Sequence, residues 1–135
     1  MKRKDLQELA RLRLKEAKQL LGAGHPDGAH YLAGYCVECA LKSCIARKTE
    51  RFEFPDKARI LGSYTHDLSQ LLKTAGLDEA VRKEMSAKLA ANWRVVRRWD
   101  ERSRYERRSA SEAEALINAI EDRRDGVLRW LKHRW

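Results

Sequence analysis

The sequence predicts an all-α fold, an up-and-down four-helix bundle with one additional short helix, and three observations carry that expectation. Ala, Leu, Arg, Lys and Glu dominate the composition, and these are the better helix formers. Two prolines and seven glycines are few for a β-rich chain with many turns. Apolar residues recur at the helical period along most of the chain, and no alternation is sustained enough for a strand. At 135 residues the chain is expected to be one domain, 1–135, long enough to bury a real core.

The first helix is expected from about Asp5 to Leu21, with Leu6, Leu9, Ala10, Ala17, Leu20 and Leu21 on one face. Gly22-Ala23-Gly24 ends it, as glycine past a helix terminus commonly does. The second starts at Pro26, tolerated in a first turn, and runs to roughly Arg47. Its middle, Ala29 to Leu41, is apolar or small nearly all round, which suits the centre of a bundle. The segment from Arg51 to Tyr64, with Pro55 and Gly62, reads as irregular. A short third helix follows from His66 to about Ala75, with Thr65 as its N-cap, Asp67 in its first turn and Gly76 as its stop. The fourth spans about Asp78 to Asp100 and turns Met85, Leu89, Trp93 and Val96 inward. Glu101 to Ala110 carries the densest arginine cluster, and Ser111 is expected to cap the fifth helix, with Glu112 and Glu114 in its first turn. Ala113, Leu116, Ile117, Ile120, Val127, Leu128 and Leu131 form its stripe.

A formal net charge of +9 favours anionic partners, although with 36% of residues charged much of it also reads as ordinary solubilising surface. No apolar run of about eighteen residues offers a membrane span. Met1-Lys2-Arg3-Lys4-Asp5 leads into an amphipathic pattern and not an apolar export signal. Cys36, Cys39 and Cys44 are odd in number and confined to one short segment, which argues against a disulfide scaffold. A cytoplasmic location is the expectation.

Several side chains are candidates for a site. Arg104 can fix a phosphate through charge-assisted hydrogen bonds, while Tyr105 or Trp99 offers a ring to a base. Arg98 and Arg102 belong to the surrounding field, with Arg97, Arg107 and Arg108. The competing explanation makes Trp99 and Tyr105 hydrophobic anchors and pairs Arg104 with an acidic neighbour. Glu38 sits in an apolar stretch and needs a partner, because burying a lone charge is costly. Lys42, one turn on, is the simplest, with Arg13 or Arg124 as alternatives from other helices. A buried polar network accounts for Glu38 more simply than catalysis does. His66 and Asp67 belong either to a polar site or merely to a helix start. Tyr31 and Tyr35, one turn apart, line a pocket or pack in the core. The spacing of His25, His30 and the cysteines does not suit a metal, and none is expected.

The stretch Gly28 to Lys42, GAHYLAGYCVECALK, resembles the signature helix of HEPN-domain proteins. Matching features follow in order: the helix end at Ala17 to Gly24, Thr65-His66-Asp67-Leu68 followed by Leu71-Leu72, Trp99 followed by Arg104-Tyr105, and a last helix with Trp130 near its end. The resemblance covers almost the whole chain. It implies a helical bundle that usually forms a homodimer, often with a small nucleotidyltransferase as partner in a toxin–antitoxin pair. Several such proteins are metal-independent ribonucleases that use an Arg followed, after four to six residues, by a His. The arginine-rich segment from Arg94 to Arg108 holds no histidine. The one literal match, Arg59 and His66, is of a kind expected about once by chance.

The expected function is therefore a HEPN-type module, dimeric as the resemblance implies, that binds a nucleotide, RNA or a companion nucleotidyltransferase through its arginine-rich surface, with no cofactor. Helices four and five are the expected dimer face, by analogy. The alternative is a metal-independent ribonuclease toxin, with Arg104 and Arg98 or Arg102 stabilising the transition state. Enzymatic activity stays open, with the missing histidine against it.

Overall fold

The computed structural model describes residues 1–51 and 57–135, with side chains described for residues 1–50 and 60–135. Among these all the regular structure is helical, with eight α-helices and one 3-10 turn and no strand. In order they are α1 (Arg3–Gly22), α2 (Pro26–Arg51), α3 (Lys57–Gly62), α4 (Leu68–Thr74), α5 (Asp78–Glu84), α6 (Ala87–Val96), the 3-10 turn Glu101–Tyr105, α7 (Ala110–Glu121) and α8 (Val127–Lys132). None is long and apolar enough to cross a membrane. The all-helical class is as expected, but the long rods of the second half are broken in two.

The largest pairing is α1 against α2, and α2 also meets α4, α7, α8 and the 3-10 turn. Its composition explains this central place. Ala29, Ala33, Cys36, Val37, Ala40 and Leu41 are fully buried, and a helix small and apolar all round can accept neighbours on every side. Ala10 and Ala17 of α1 are likewise fully buried where α1 lies on it. Leu71 of α4, Leu116 and Ile120 of α7, and Leu131 of α8 complete the core.

Helix ends are set by local chemistry. At the end of α1, Gly24 adopts the left-handed region (φ 84°) that lets the His25 amide reach the Leu20 carbonyl. α2 runs on to Arg51, beyond the expected Arg47. The segment read as irregular contains α3, while Pro55 lies outside the described residues. The N-cap of α4 is Asp67, not Thr65: its carboxylate accepts the Gln70 amide, and Thr65 Oγ1 accepts the Asp67 amide. His66 therefore precedes the helix.

The helix expected over Asp78 to Asp100 is interrupted at Met85-Ser86. Ser86 caps α6 by accepting the Leu89 amide and donates to Asp125 at 2.9 Å, which favours a new helix start over continuation. α6 ends at Val96. Ser109, not Ser111, caps α7, in a reciprocal box with Glu112. The expected fifth helix is broken at the end of α7, Glu121, where the Asp122 carboxylate accepts the amides of Arg124 and Asp125 before Gly126 opens α8.

Candidate functional site

One face of α2 carries Tyr31, Tyr35, Glu38 and Lys42 at intervals of one helical turn, and these residues begin the site. Glu38 is 3% exposed, so its carboxylate must be paired. Lys42 reaches it at 3.5 Å, as the sequence suggests. The closer partner is His66, whose Nδ1 lies 2.6 Å from Glu38 Oε1. Of the alternatives named from sequence, Arg13 pairs with Glu16, and Arg124 is not among Glu38's contacts. The other ring nitrogen of His66, Nε2, lies 3.2 Å from Glu101, at the start of the 3-10 turn. A histidine thus reaches the arginine-rich segment after all, through tertiary contact and not through sequence.

The aromatic rings join this polar row to the 3-10 turn. Tyr35 stands edge-on to His66 at 6.3 Å and to Trp99 at 5.4 Å, and Tyr31 is edge-on to Tyr35 at 5.0 Å. Trp99 is 3% exposed and lies against Gly34, where an added Cβ would come within 2.0 Å of the indole. That close approach is why a glycine sits mid-helix at this point. Trp99 is the packing anchor that the sequence offered as one of its two roles, and its Nε1 has no partner among the described residues. A hydrogen bond to Tyr31 is the largest of the effects that raise Tyr35 above the ordinary phenol range, followed by burial and the Glu38 charge.

Arg104 and Tyr105 stand at the outer edge. Tyr105 is 79% exposed, which removes it from any anchoring role. The Arg104 guanidinium lies over the Tyr105 ring at 4.7 Å. Its charge is favoured chiefly by Tyr105, with a smaller contribution from a hydrogen bond to Tyr31. Among the described residues Arg104 has no carboxylate partner, so the ion pair weighed from sequence is not formed.

The remaining arginines divide clearly. Arg102 is clasped by Asp100, whose carboxyl is lowered chiefly by that hydrogen bond. Arg108 is held by Glu106 and Glu112. Arg94, Arg97, Arg98 and Arg107 are exposed and form no ion pair among the described residues. Asp67 is occupied as the α4 cap and does not join the cluster beside His66.

Sequence reasoning missed Glu101 and the pairing of Glu38 with His66. One signal was present, an acid in an apolar helix, but its partner lies 28 positions away across the fold. The Arg59 side chain, half of the one literal Arg–His match, lies outside the described residues. Cys36, Cys39 and Cys44 are free and buried. Among the described residues no three His, Cys, Asp or Glu side chains are grouped to share a metal ion.

A family model described as HEPN domain matches residues 4–133. No curated protein and no solved structure matches the chain.

Proposed function

Because the chain belongs to the HEPN domain family, we propose that it is a helical module that pairs with a second copy of itself and holds RNA or a nucleotide at the face formed by Tyr31, Arg104 and Tyr105, with the buried Trp99 anchoring it from beneath. The observation that carries this reading is Arg104. It is an exposed cation, unpaired among the described residues and laid over an exposed ring. A guanidinium so arranged offers its donors to a phosphate, and the adjoining tyrosine offers a stacking face to a base. Arg94, Arg97, Arg98 and Arg107 add positive charge that no described carboxylate neutralises. A companion nucleotidyltransferase, expected from the resemblance, would meet the same basic surface.

The test is fluorescence anisotropy of a labelled single-stranded RNA at several salt concentrations. Each phosphate contact contributes about −0.7 to the logarithmic salt slope for single strands, so three to five arginine contacts correspond to a slope of about −2 to −3.5. Arg104→Ala is expected to weaken binding by about tenfold, from the lost charge-assisted bonds and stacking platform. Unchanged affinity in that variant refutes the site, and absence of binding at low salt refutes the ligand.

A second reading, metal-independent cleavage of RNA, gains support from His66. Its ring is fixed by a buried carboxylate and faces the turn that carries Arg104, the kind of group that accepts a 2′-hydroxyl proton. Incubating labelled RNA with chelator, beside Arg104→Ala and His66→Asn, separates the two readings. Cleavage lost in both variants selects the enzyme, and intact RNA throughout selects the binding module.

A further inference from the structure

The contact between His66 and Glu101 has the wrong sign for an anion-binding site, and it is placed to be broken. Glu38 is 4% exposed at its side chain and belongs to the centre of α2, so the ring it holds at 2.6 Å is fixed in direction. Tyr35 packs edge-on to the same ring. Nε2 is left facing outward and meets Glu101 at 3.2 Å. Glu101 differs from Glu38 in every respect that decides strength. Its side chain is 44% exposed, it lies in a five-residue 3-10 turn, and His66 is its one ion-pair partner among the described residues. An ion pair of that exposure contributes little to stability.

A carboxylate is an acceptor and not a donor, so an N–H on either ring nitrogen has a carboxylate oxygen within reach. The ring is thus set to present an N–H to an anion, and Glu101 is the anion of the chain's own that reaches it. A phosphate ester offers more acceptor oxygens than a carboxylate and can bridge to a neighbouring guanidinium. Arg104 is three residues further along the same turn.

We propose that His66, aimed by Glu38, is a phosphate-binding donor of the site, and that Glu101 is an internal carboxylate competitor that the phosphate ester of a nucleotide or RNA displaces. This rests on the anionic-ligand reading above and adds to it the group that guards the site. Glu38 is a positioning residue in this scheme.

The experiment compares a fluorescein-labelled oligouridine on the wild-type protein, Glu101→Gln, His66→Asn and the double variant. Glu114→Gln, which removes an exposed charge elsewhere on α7, controls for net charge. Glu101→Gln is expected to bind about three- to tenfold tighter, Glu114→Gln less than about twofold, and the gain is expected to vanish in the His66→Asn background. An equal gain in both glutamate variants, or a gain that survives without His66, overturns the proposal. Binding lost in Arg104→Ala but unaltered by Glu101→Gln leaves the ligand reading standing and rejects the competitor. No binding by any protein rejects both. Should His66→Asn fail to fold, inorganic phosphate titrated against the imidazole nitrogen resonances of wild type and Glu101→Gln gives the same answer. The His66 resonance should respond at lower phosphate in the variant, and an unresponsive His66 overturns the assignment.

Discussion

Gly34→Ala tests the contact on which the site is built. An alanine Cβ would stand 2.0 to 2.2 Å from Cε2, Cδ2 and Nε1 of Trp99, where ordinary contact begins at 3.4 Å. The indole would have to recede by roughly 1.4 Å, and it is 3% exposed with Tyr35 at 5.4 Å beside it. Two opposing effects decide the sign. Alanine in a helix interior is favoured over glycine by about 1 kcal/mol. Overpacking of a closed core costs about 1–3 kcal/mol, and expelling an indole that buries about 200 Å² costs about 5 kcal/mol at 25 cal/mol per Å². A 2.0 Å approach puts the overpacking cost at its upper end, about 3 kcal/mol, so the strain wins with an expected net loss of about 2–4 kcal/mol. Urea denaturation followed by far-UV circular dichroism measures it. Gly22→Ala is the matched control, since no atom lies within 4 Å of a Cβ there and the same substitution should leave stability unchanged or raised by up to about 1 kcal/mol. A Gly34→Ala protein as stable as the wild type would refute the packing argument. Any folded Gly34→Ala protein should also bind RNA more weakly, because Trp99 carries the turn that presents Arg104.

Two further predictions concern buried groups. Burial, then the charge of Arg108, lowers His30 below its ordinary 6.5, with Glu112 and Glu106 opposing. The unfolded chain therefore binds more protons in the window just below 6.5, so stability rises with pH there and falls on acidification, by at most about 1.4 kcal/mol per pH unit. Urea midpoints between pH 5 and 7.5 should show a shallower slope in His30→Gln, and parallel profiles would exclude His30 as the source. Burial raises all three thiols, Cys44 to about 12, so native protein at pH 8 should resist iodoacetamide until it unfolds. Mass spectrometry showing rapid alkylation of the folded chain would contradict this.

Much of the fold was legible in the sequence because the apolar stripes are local statements. The central place of α2 follows from the run Ala29 to Leu41, and the all-helical class follows from the composition. Caps were harder, since Thr65 and Asp67, or Ser109 and Ser111, compete within two or three residues, and the winner depends on which amide its oxygen meets. The breaks at Ser86 and Asp122 were hidden for a related reason. Ser86 is tied to Asp125 from across the chain, and its short-range periodicity is that of a continuous helix.

For the site, the sequence determined the ingredients: an acid stranded in an apolar helix, tyrosines one turn apart, and an arginine cluster after a tryptophan. Only the tertiary structure decided which of them meet. It separated the arginines clasped by Asp100, Glu106 and Glu112 from those left facing solvent. It also set His66 between Glu38 and Glu101, residues 28 and 35 positions from it. Periodicity reports which face of a helix is buried, whereas the pairing of a buried charge depends on how helices are docked, and docking is set by close approaches such as that of Trp99 on Gly34.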